Sequence, residues 1–231
     1  MKLVQLSRDA LLKPLQAVTG IVERRHTLPI LSNVLIQREP ENLRFVATDL
    51  ELQIATSCAM DKKAGESMAV TVSARKLVDI LRALPEDSEA VLEAANNRLQ
   101  VKAGKSRFNL QTLPAADFPT LADPGKALSA FQIPQGKARS LLALVQYAMA
   151  QQDIRYYLNG LLLVTEDKEI RVVATDGHRL SYAVTGLSTK LEKSEVILPR
   201  KAILELARQL SDGDEPLEIA IYASQVRFRF G

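Results

Sequence analysis

The sequence predicts an α+β fold made of two tandem domains, each containing a strand-helix-three-strand unit twice. Three observations predict this class: an internal repeat, four segments with the apolar spacing of helices, and strand-like alternation between them. In such a fold the helices cover one face of mostly antiparallel sheets. The chain has 231 residues, of which 47% are hydrophobic, and this is enough for two domains with separate cores.

The repeat appears when residues 31–49 are placed over residues 158–176. This ungapped shift of 127 positions gives eight identities in nineteen pairs, where about one is expected by chance. The run Val-Ala-Thr-Asp closes both segments. The sequence therefore predicts two copies of one domain, residues 1–125 and 126–231, joined at an Asp-Pro-Gly turn.

In the first copy, residues 2–6 alternate as a strand does, and residues 7–22 place apolar side chains on one helical face. The rest of the copy follows the same theme twice. It is predicted to contain strands at 31–37, 43–48, 52–59 and 68–72, a helix at 73–84 with Ser73 as N-cap, and strands at 89–94, 98–103 and 107–112.

The second copy repeats this order. Its predicted elements are a strand at 130–133, a helix at 134–148 with proline in the first turn, strands between 158 and 184, a strand at 196–198, a helix at 199–210, and strands at 217–223 and 225–230. Gly231 falls at the position of Gly104, after which the first copy continues. Because a missing last strand would leave an open sheet edge, we expect these residues to belong to a longer chain.

The charge of the chain is unevenly distributed. The net charge of +3 is small, but the four helix segments with their flanks together carry +8, so the remainder carries −5. Several of these cations lie in first helical turns, where the macrodipole disfavours them by about 0.3–1 kcal/mol each. We therefore expect an external polyanion, such as the phosphates of nucleic acid, to meet a basic helical face. The alternative is that these Lys and Arg side chains are solvated on amphipathic helices.

Other classes of protein are disfavoured by the composition and motifs. The single cysteine, Cys58, cannot form an internal disulfide, and two histidines add too few ligands for a structural zinc site. No apolar stretch has the length of a signal peptide or a membrane span. The motifs of phosphate-binding loops, dinucleotide-binding folds and serine hydrolases do not occur. We expect a cytoplasmic binding protein that uses no metal and no cofactor.

A carboxylate and a histidine lie two positions apart at Asp176 and His178, which makes them the best candidates for chemistry. However, Asp176 has a counterpart in Asp49, and a residue kept in both copies is typical of a turn. Gly177 and Arg179 occur only in the second copy. They indicate a binding feature, in which the glycine lets a partner approach the backbone and the arginine holds a carboxylate.

Six motifs run along the whole chain. They are Leu-Leu-Lys-Pro-Leu at 11–15, Thr-Leu-Pro-Ile-Leu at 27–31, Ser-Arg-Phe at 106–108, Thr-Leu-Pro-Ala-Ala-Asp-Phe-Pro at 112–119, Gln-Asp-Ile-Arg-Tyr-Tyr-Leu-Asn-Gly at 152–160 and Ala-Thr-Asp-Gly-His-Arg-Leu at 174–180. In type and spacing they closely resemble the bacterial sliding clamp family, the beta subunit of DNA polymerase III.

The resemblance implies tandem DNA-clamp domains, of which this chain matches the first two of three, the second incomplete. It implies a processivity factor without catalytic activity, an accessory subunit of a DNA-directed DNA polymerase. A homodimer ring of the full-length chain would encircle duplex DNA, with helices lining the hole. The partners would be the replicative polymerase catalytic subunit, the clamp loader, other polymerases and repair proteins, each bound through a short peptide motif. A chain without the third domain would not close the ring.

The resemblance also implies three sets of site residues by matching position. The residues that would face DNA are Arg25, Arg75, Lys76, Gln152, Arg155, Tyr156, Tyr157, Arg200 and Lys201. One wall of the partner-peptide pocket would comprise Leu158, Thr175, Gly177, His178, Arg179 and Leu180. The ring interface would use Lys76, Lys105, Arg107, Phe108 and Leu110.

Two alternatives remain open from the residues alone. The first is a hydrolase or other enzyme built around Asp176 and His178. The second is a nucleic-acid-binding module that does not encircle its ligand.

Overall fold

The computed structural model describes residues 1–23, 27–60 and 67–231. The chain forms two compact units, Met1–Leu121 (unit 1) and Ala122–Gly231 (unit 2). Each unit combines helices with antiparallel sheets, so the predicted α+β class is confirmed.

Among its described residues, unit 1 has two α-helices and one sheet in which the strands do not follow their order along the chain. Its elements are β1 (Lys2–Ser7), α1 (Arg8–Thr19), β2 (Asn33–Arg38), β3 (Asn42–Thr48), β4 (Gln53–Ala59), β5 (Met68–Ser73), α2 (Ala74–Ala83), β6 (Glu89–Ala95), β7 (Arg98–Ala103) and β8 (Ser106–Leu113). Short 3-10 helices at Pro29–Ser32 and Ala115–Asp117 precede β2 and follow β8.

The sheet of unit 1 consists of two four-stranded halves. Its strand order is β1-β6-β7-β8-β5-β2-β3-β4, and each pair is antiparallel. Only two residue pairs, Thr71 with Leu113 and Val72 with Thr112, join β5 to β8. Each half contains the last three strands of one strand-helix-three-strand unit and the first strand of the other, because β1 pairs with β6 and β5 pairs with β2.

Local signals explain where the helices of unit 1 begin and end. The Ser7 hydroxyl accepts a hydrogen bond from the Ala10 amide at 3.3 Å and so caps α1. This helix ends at Thr19 and not at the predicted residue 22, because Gly20 follows and has low helix propensity. Ser73 occupies the N-cap position of α2 as predicted, but its side chain forms no capping hydrogen bond. Ser73 is instead the last residue of β5 and pairs with Asn33.

Unit 2 repeats the order of elements. They are β9 (Ser129–Pro134), α3 (Gln135–Val145), β10 (Gly160–Thr175), β11 (Leu180–Pro199), α4 (Arg200–Gln209), β12 (Pro216–Ile221) and β13 (Val226–Arg229). The sheets have the orders β13-β12-β9 and β10-β11. Pro134 and Pro199 end the strands before α3 and α4, so the predicted proline in the first turn lies one residue outside the helix.

The two long strands of unit 2 contain the pairings that four shorter strands make in unit 1. The first part of β10 pairs with residues 194–199, and its second part pairs with residues 180–186. A register shift near Asp167, which has φ +51°, separates the two parts. These pairings correspond to β2 with β5 and β3 with β4, which shows that the internal repeat is structural.

Each unit has a separate apolar core. In unit 1 the largest fully buried side chain is Phe45 on β3, which packs in one cluster with the apolar faces of α1 and α2. The core of unit 2 is built in the same way around Leu161 on β10 and Ile203 on α4. Within the described ranges, no helix is long and apolar enough to cross a membrane.

The core of unit 1 gives a first prediction. Phe45→Ala leaves a cavity beneath α1 and should lower the free energy of unfolding by about 3–5 kcal/mol. Leu128→Ala removes a side chain that is 68% exposed and should change it by less than about 0.5 kcal/mol. Urea denaturation followed by circular dichroism measures both, and equal effects of the two substitutions would contradict this description of the core.

Candidate functional site

A turn between β3 and β4 is held by the side chains of a Thr-Asp pair. The Thr48 hydroxyl donates to the Leu52 carbonyl at 2.8 Å and accepts from the Leu50 amide at 3.0 Å. The Asp49 carboxylate accepts from the amides of Glu51 and Leu52. Hydrogen bonds from short polar side chains to nearby main chain are typical of tight turns.

Unit 2 contains the same turn between β10 and β11. The Thr175 hydroxyl donates to the Arg179 carbonyl at 2.7 Å and accepts from the Gly177 amide at 3.1 Å. The Asp176 carboxylate accepts from the amides of His178 and Arg179, each at 3.0 Å. The prediction that the repeated aspartate closes a turn is therefore confirmed.

The third position of both turns has a left-handed backbone. It is Gly177 in unit 2, with φ +88°, and Leu50 in unit 1, with φ +81°. A Cβ at Gly177 would lie 3.2 Å from Nη2 of Arg155. Glycine is thus favoured there by the left-handed backbone, and its missing Cβ leaves room for the Arg155 guanidinium.

The loop that carries Arg155 is tied together by Asp153 and Asn159. The Asp153 amide donates to the Asn159 side chain at 2.9 Å, and the Asn159 amide group returns a hydrogen bond to the Asp153 carbonyl at 2.8 Å. The Asp153 carboxylate accepts from Nε and Nη2 of Arg155 at 3.0 and 2.9 Å. These bonds, and one from the Arg155 amide, lower the pKa of Asp153 to about 2.

The turn of unit 2 also contacts the short 3-10 helix Gln146–Ala148, which follows α3, through Arg179 and Tyr147. Nε of Arg179 donates to Asp176 at 2.9 Å, and Nη2 donates to the Tyr147 carbonyl at 2.7 Å. The guanidinium also lies 5.5 Å from the centre of the Tyr147 ring, within reach of a cation–π interaction. No sequence motif marks Tyr147, since its contact with Arg179 is made across the fold.

The Asp176 carboxylate serves the turn and not a catalytic pair. Hydrogen bonds from the amides of His178 and Arg179 lower its pKa, and the Arg179 guanidinium adds to this effect. The bond to His178 comes from the main chain, whereas a general base would orient the imidazole through a ring nitrogen. The geometry therefore does not favour an enzyme built around these two residues.

The predicted pocket wall forms one exposed edge of unit 2. Gly177, His178, Arg179 and Leu180 are exposed, and Leu180 is 66% exposed. Thr175 is half-buried, and Leu158 is buried beneath the loop. The contact of Gly177 with Arg155 brings this turn beside the predicted DNA-facing loop.

The loop also presents polar and aromatic side chains to solvent. Gln152 has φ +57° and is exposed. Tyr156 is 82% exposed and meets Tyr157 edge-to-face at 5.8 Å between ring centres. Ile154, which the sequence analysis did not single out, is 98% exposed. Arg25, the remaining loop residue predicted to face DNA, lies outside the described residues.

Arg75 in the first turn of α2 and Arg200 in the first turn of α4 make equivalent contacts in their units. Arg75 donates to the Val22 carbonyl at 3.4 Å, and Arg200 donates to the Met149 carbonyl at 3.1 Å. These carbonyls follow α1 and α3, where the helix ends are partially negative. Their own unit thus supplies a neutral acceptor for each of these two arginines, and an external anion at the helices stays a prediction.

Other helix cations have internal partners as well. Lys137 donates to the Gly186 carbonyl at 3.1 Å, Arg139 pairs with Asp212, and Arg208 pairs with Glu205. Lys76 is exposed on the first turn of α2, and Lys201 is half-buried at the same place on α4.

Four of the five predicted ring-interface residues lie on the hairpin of β7 and β8. Lys105 is exposed in its turn, Arg107 is exposed beside it, and Phe108 is half-buried. Leu110 is buried and belongs to the core of unit 1. Lys76 lies apart from this hairpin in the chain, on α2.

Comparisons with known proteins match both units. The family model described as DNA polymerase III beta subunit, N-terminal domain, matches residues 1–122, and that of the central domain matches residues 132–231. This chain belongs to the DNA polymerase III beta subunit family.

Relatives of the beta subunit family agree over nearly the whole chain. A beta sliding clamp of Escherichia coli (strain K12) is 44% identical over 226 residues, covering 98% of this chain and 61% of the relative. One of Pseudomonas aeruginosa is 46% identical over 229 residues, with the same two shares of 98% and 61%. A crystal structure of the Pseudomonas aeruginosa subunit has a TM-score of 0.94 at 45% identity, covering 99% of this chain and 62% of that one. The chain thus spans about three fifths of the length of these relatives.

The ion pair between Asp153 and Arg155 gives a prediction for the loop that contains both residues. A carboxyl with a lowered pKa contributes stability above its unfolded pKa and loses it as the pH falls through the folded value. Unit 2 should therefore lose stability as the pH falls from about 4 to about 2, the pKa of Asp153. Arg155→Ala should raise the pKa of Asp153 part of the way to its usual 3.8, as measured by carbon-13 NMR of the carboxyl.

Arg171→Ala is the control for this measurement. Arg171 pairs with Glu166 and Glu169 on β10 and should leave the pKa of Asp153 unchanged. An unchanged pKa in Arg155→Ala would show that this arginine does not hold the loop.

Proposed function

We propose that this chain is the DNA-facing and partner-binding part of a DNA polymerase processivity clamp. The observation that carries the proposal is the match of its two units, in order, to the N-terminal and central domains of the beta subunit family. As part of an encircling clamp, the chain would perform no chemistry and would tether a polymerase to duplex DNA. The turn-closing role of Asp176 is consistent with this non-catalytic function.

The proposed DNA contact is weak and independent of base sequence. Lys76, Arg155 and Lys201 would attract phosphates electrostatically, and Arg75 and Arg200 would add to the positive field around them. Two exposed aromatic residues, Tyr156 and Tyr157, do not make a stacking platform for a single strand. A contact of this kind leaves the protein able to slide along a duplex.

The proposed partner site is the exposed turn of residues 175–180 with Leu158 beneath the adjoining loop. A sliding clamp of Pseudomonas aeruginosa, to which this chain is similar with a TM-score of 0.93 and 45% identity, has been crystallised bound to griselimycin. Replicative and other polymerases, the clamp loader and repair proteins would bind at this wall through short peptide motifs. His178 and Leu180 offer a polar and an apolar contact there.

The hairpin of β7 and β8 is the proposed ring interface. Lys105 and Arg107 would contribute charge, and Phe108 would contribute apolar surface. Two full-length chains would meet head to tail, which is a heterologous contact that closes into a ring.

The DNA contact predicts how binding depends on salt. For a duplex oligonucleotide, log K against log salt should have the same negative slope for any base sequence. Lys76→Gln removes one phosphate contact and should reduce the magnitude of this slope by about 0.9. Fluorescence anisotropy with the 231-residue chain at low ionic strength measures the slope.

Lys190→Gln provides the matched control. Lys190 is an exposed lysine on β11 that pairs with Asp167 at 3.2 Å, and its loss should leave the slope unchanged. Equal slopes for Lys76→Gln and the unmodified chain, or a strong preference for one base sequence, would contradict the proposed contact.

A further inference from the structure

An apolar groove lies on unit 1 at the place where unit 2 has its Arg155–Gly177 contact. It has a volume of about 430 Å³. The lining includes Leu28, Ile30, Leu50, Leu113, Pro114 and Asp117. Under the repeat shift of 127, Leu28 corresponds to Arg155 and Leu50 corresponds to Gly177. In unit 1 both positions are leucine, and both leucines line the groove.

Leucine at position 50 lowers the stability of the isolated unit 1 in two ways. Its φ of +81° lies in the left-handed region, where the Cβ of a leucine is strained. Among the described non-glycine residues with positive φ, Leu50 is the only aliphatic one. Its side chain is also 46% exposed. The turn itself does not need leucine, because Gly177 closes the same turn with the same hydrogen bonds.

Three prolines restrict the backbone in the walls of the groove. Pro29, Pro114 and Pro119 line it together with the leucines, and proline fixes φ. The 3-10 helices Pro29–Ser32 and Ala115–Asp117 hold two of these prolines in place. Apolar side chains that enter a groove with a restricted backbone bind at a smaller cost in ordering the protein.

In the described part of the chain, the charged residue of the lining and the charged neighbours of Leu50 are acidic. Asp117 is the charged residue of the groove lining, and Leu50 is flanked in the chain by Asp49 and Glu51. The Asp49 carboxylate accepts main-chain hydrogen bonds of the turn, whereas Glu51 and Asp117 are exposed. A cation next to an apolar ligand would therefore be favoured electrostatically.

We propose that this groove binds an extended peptide segment that carries two large apolar side chains on one face and a lysine or arginine beside them. Alternate residues of an extended peptide point to the same side, so side chains at i and i+2 would enter the groove together. The volume suits a few side chains and is near the lower end of the roughly 300–1,000 Å³ of ligand sites.

The test uses two acetylated, amidated pentapeptides and the 231-residue chain with labelled methyl groups. The probe is Lys-Leu-Ala-Ile-Lys, and the charge-reversed control is Glu-Leu-Ala-Ile-Glu. The probe should cause saturable NMR shifts of the Leu28, Leu50 and Leu113 methyl groups, and the control peptide should bind at least ~10-fold more weakly. Asp117→Asn should reduce this preference between the two peptides.

Leu50→Gly is the decisive variant, because Gly177 shows that the turn forms with glycine at this position. Binding of the probe should weaken at least ~10-fold, which is about 1.4 kcal/mol, while the thermal midpoint stays the same or rises. Leu204→Ala removes a leucine of similar exposure, 43%, on α4 and should change neither quantity.

Four results would overturn the proposal. They are unchanged probe binding by Leu50→Gly, a clear fall in the thermal midpoint of that variant, equal binding of the two peptides, and no saturable shift at these methyl groups up to about 10 mM probe. DNA binding is not measured in this test, so its outcome is separate from that of the proposed clamp function.

Discussion

The hydrogen bonds of a Thr-Asp pair, at residues 48–49 and again at 175–176, are the interaction on which the rest of the structure depends. In each unit they close the turn between two strands and place the next residue in a left-handed conformation. In unit 2 this residue is Gly177, which lets Arg155 approach and brings the loop beside the turn. In unit 1 it is Leu50, which lines an apolar groove. One turn therefore positions different surfaces in the two copies.

The arginines at the helix starts contribute to packing within each unit and to the charge of the proposed DNA contact. Arg75 and Arg200 lie at helix starts, where a cation is unfavourable, and carbonyl groups just after α1 and α3 accept their hydrogen bonds. This contact joins the two helices of each unit. The positive charge nevertheless remains on the helices, where it adds to the field of Lys76. The structural contacts of these arginines are thus compatible with their proposed DNA-facing role.

Much of the fold could be predicted from the sequence because its signals are local. Alternating apolar residues predicted β7 at its observed bounds, and the repeat identified the turn-closing aspartates. Contacts across the fold could not be predicted, such as that of Arg179 with Tyr147. The left-handed conformation of Leu50 was also missed, since leucine gives no local signal for it. The exposed turn and loop of unit 2 were singled out by motif and stay a predicted site, whereas no motif marks the groove of unit 1.

Retention on circular and linear plasmids tests most directly whether this chain is part of an encircling clamp. The protein at the full length of its relatives, loaded on a nicked circular plasmid, should stay bound through gel filtration at a salt concentration that removes electrostatic contacts. Cutting the plasmid once should release it, because a ring slides off a free end. Equal retention on circular and linear DNA would contradict the account, since a non-encircling protein does not distinguish the two forms.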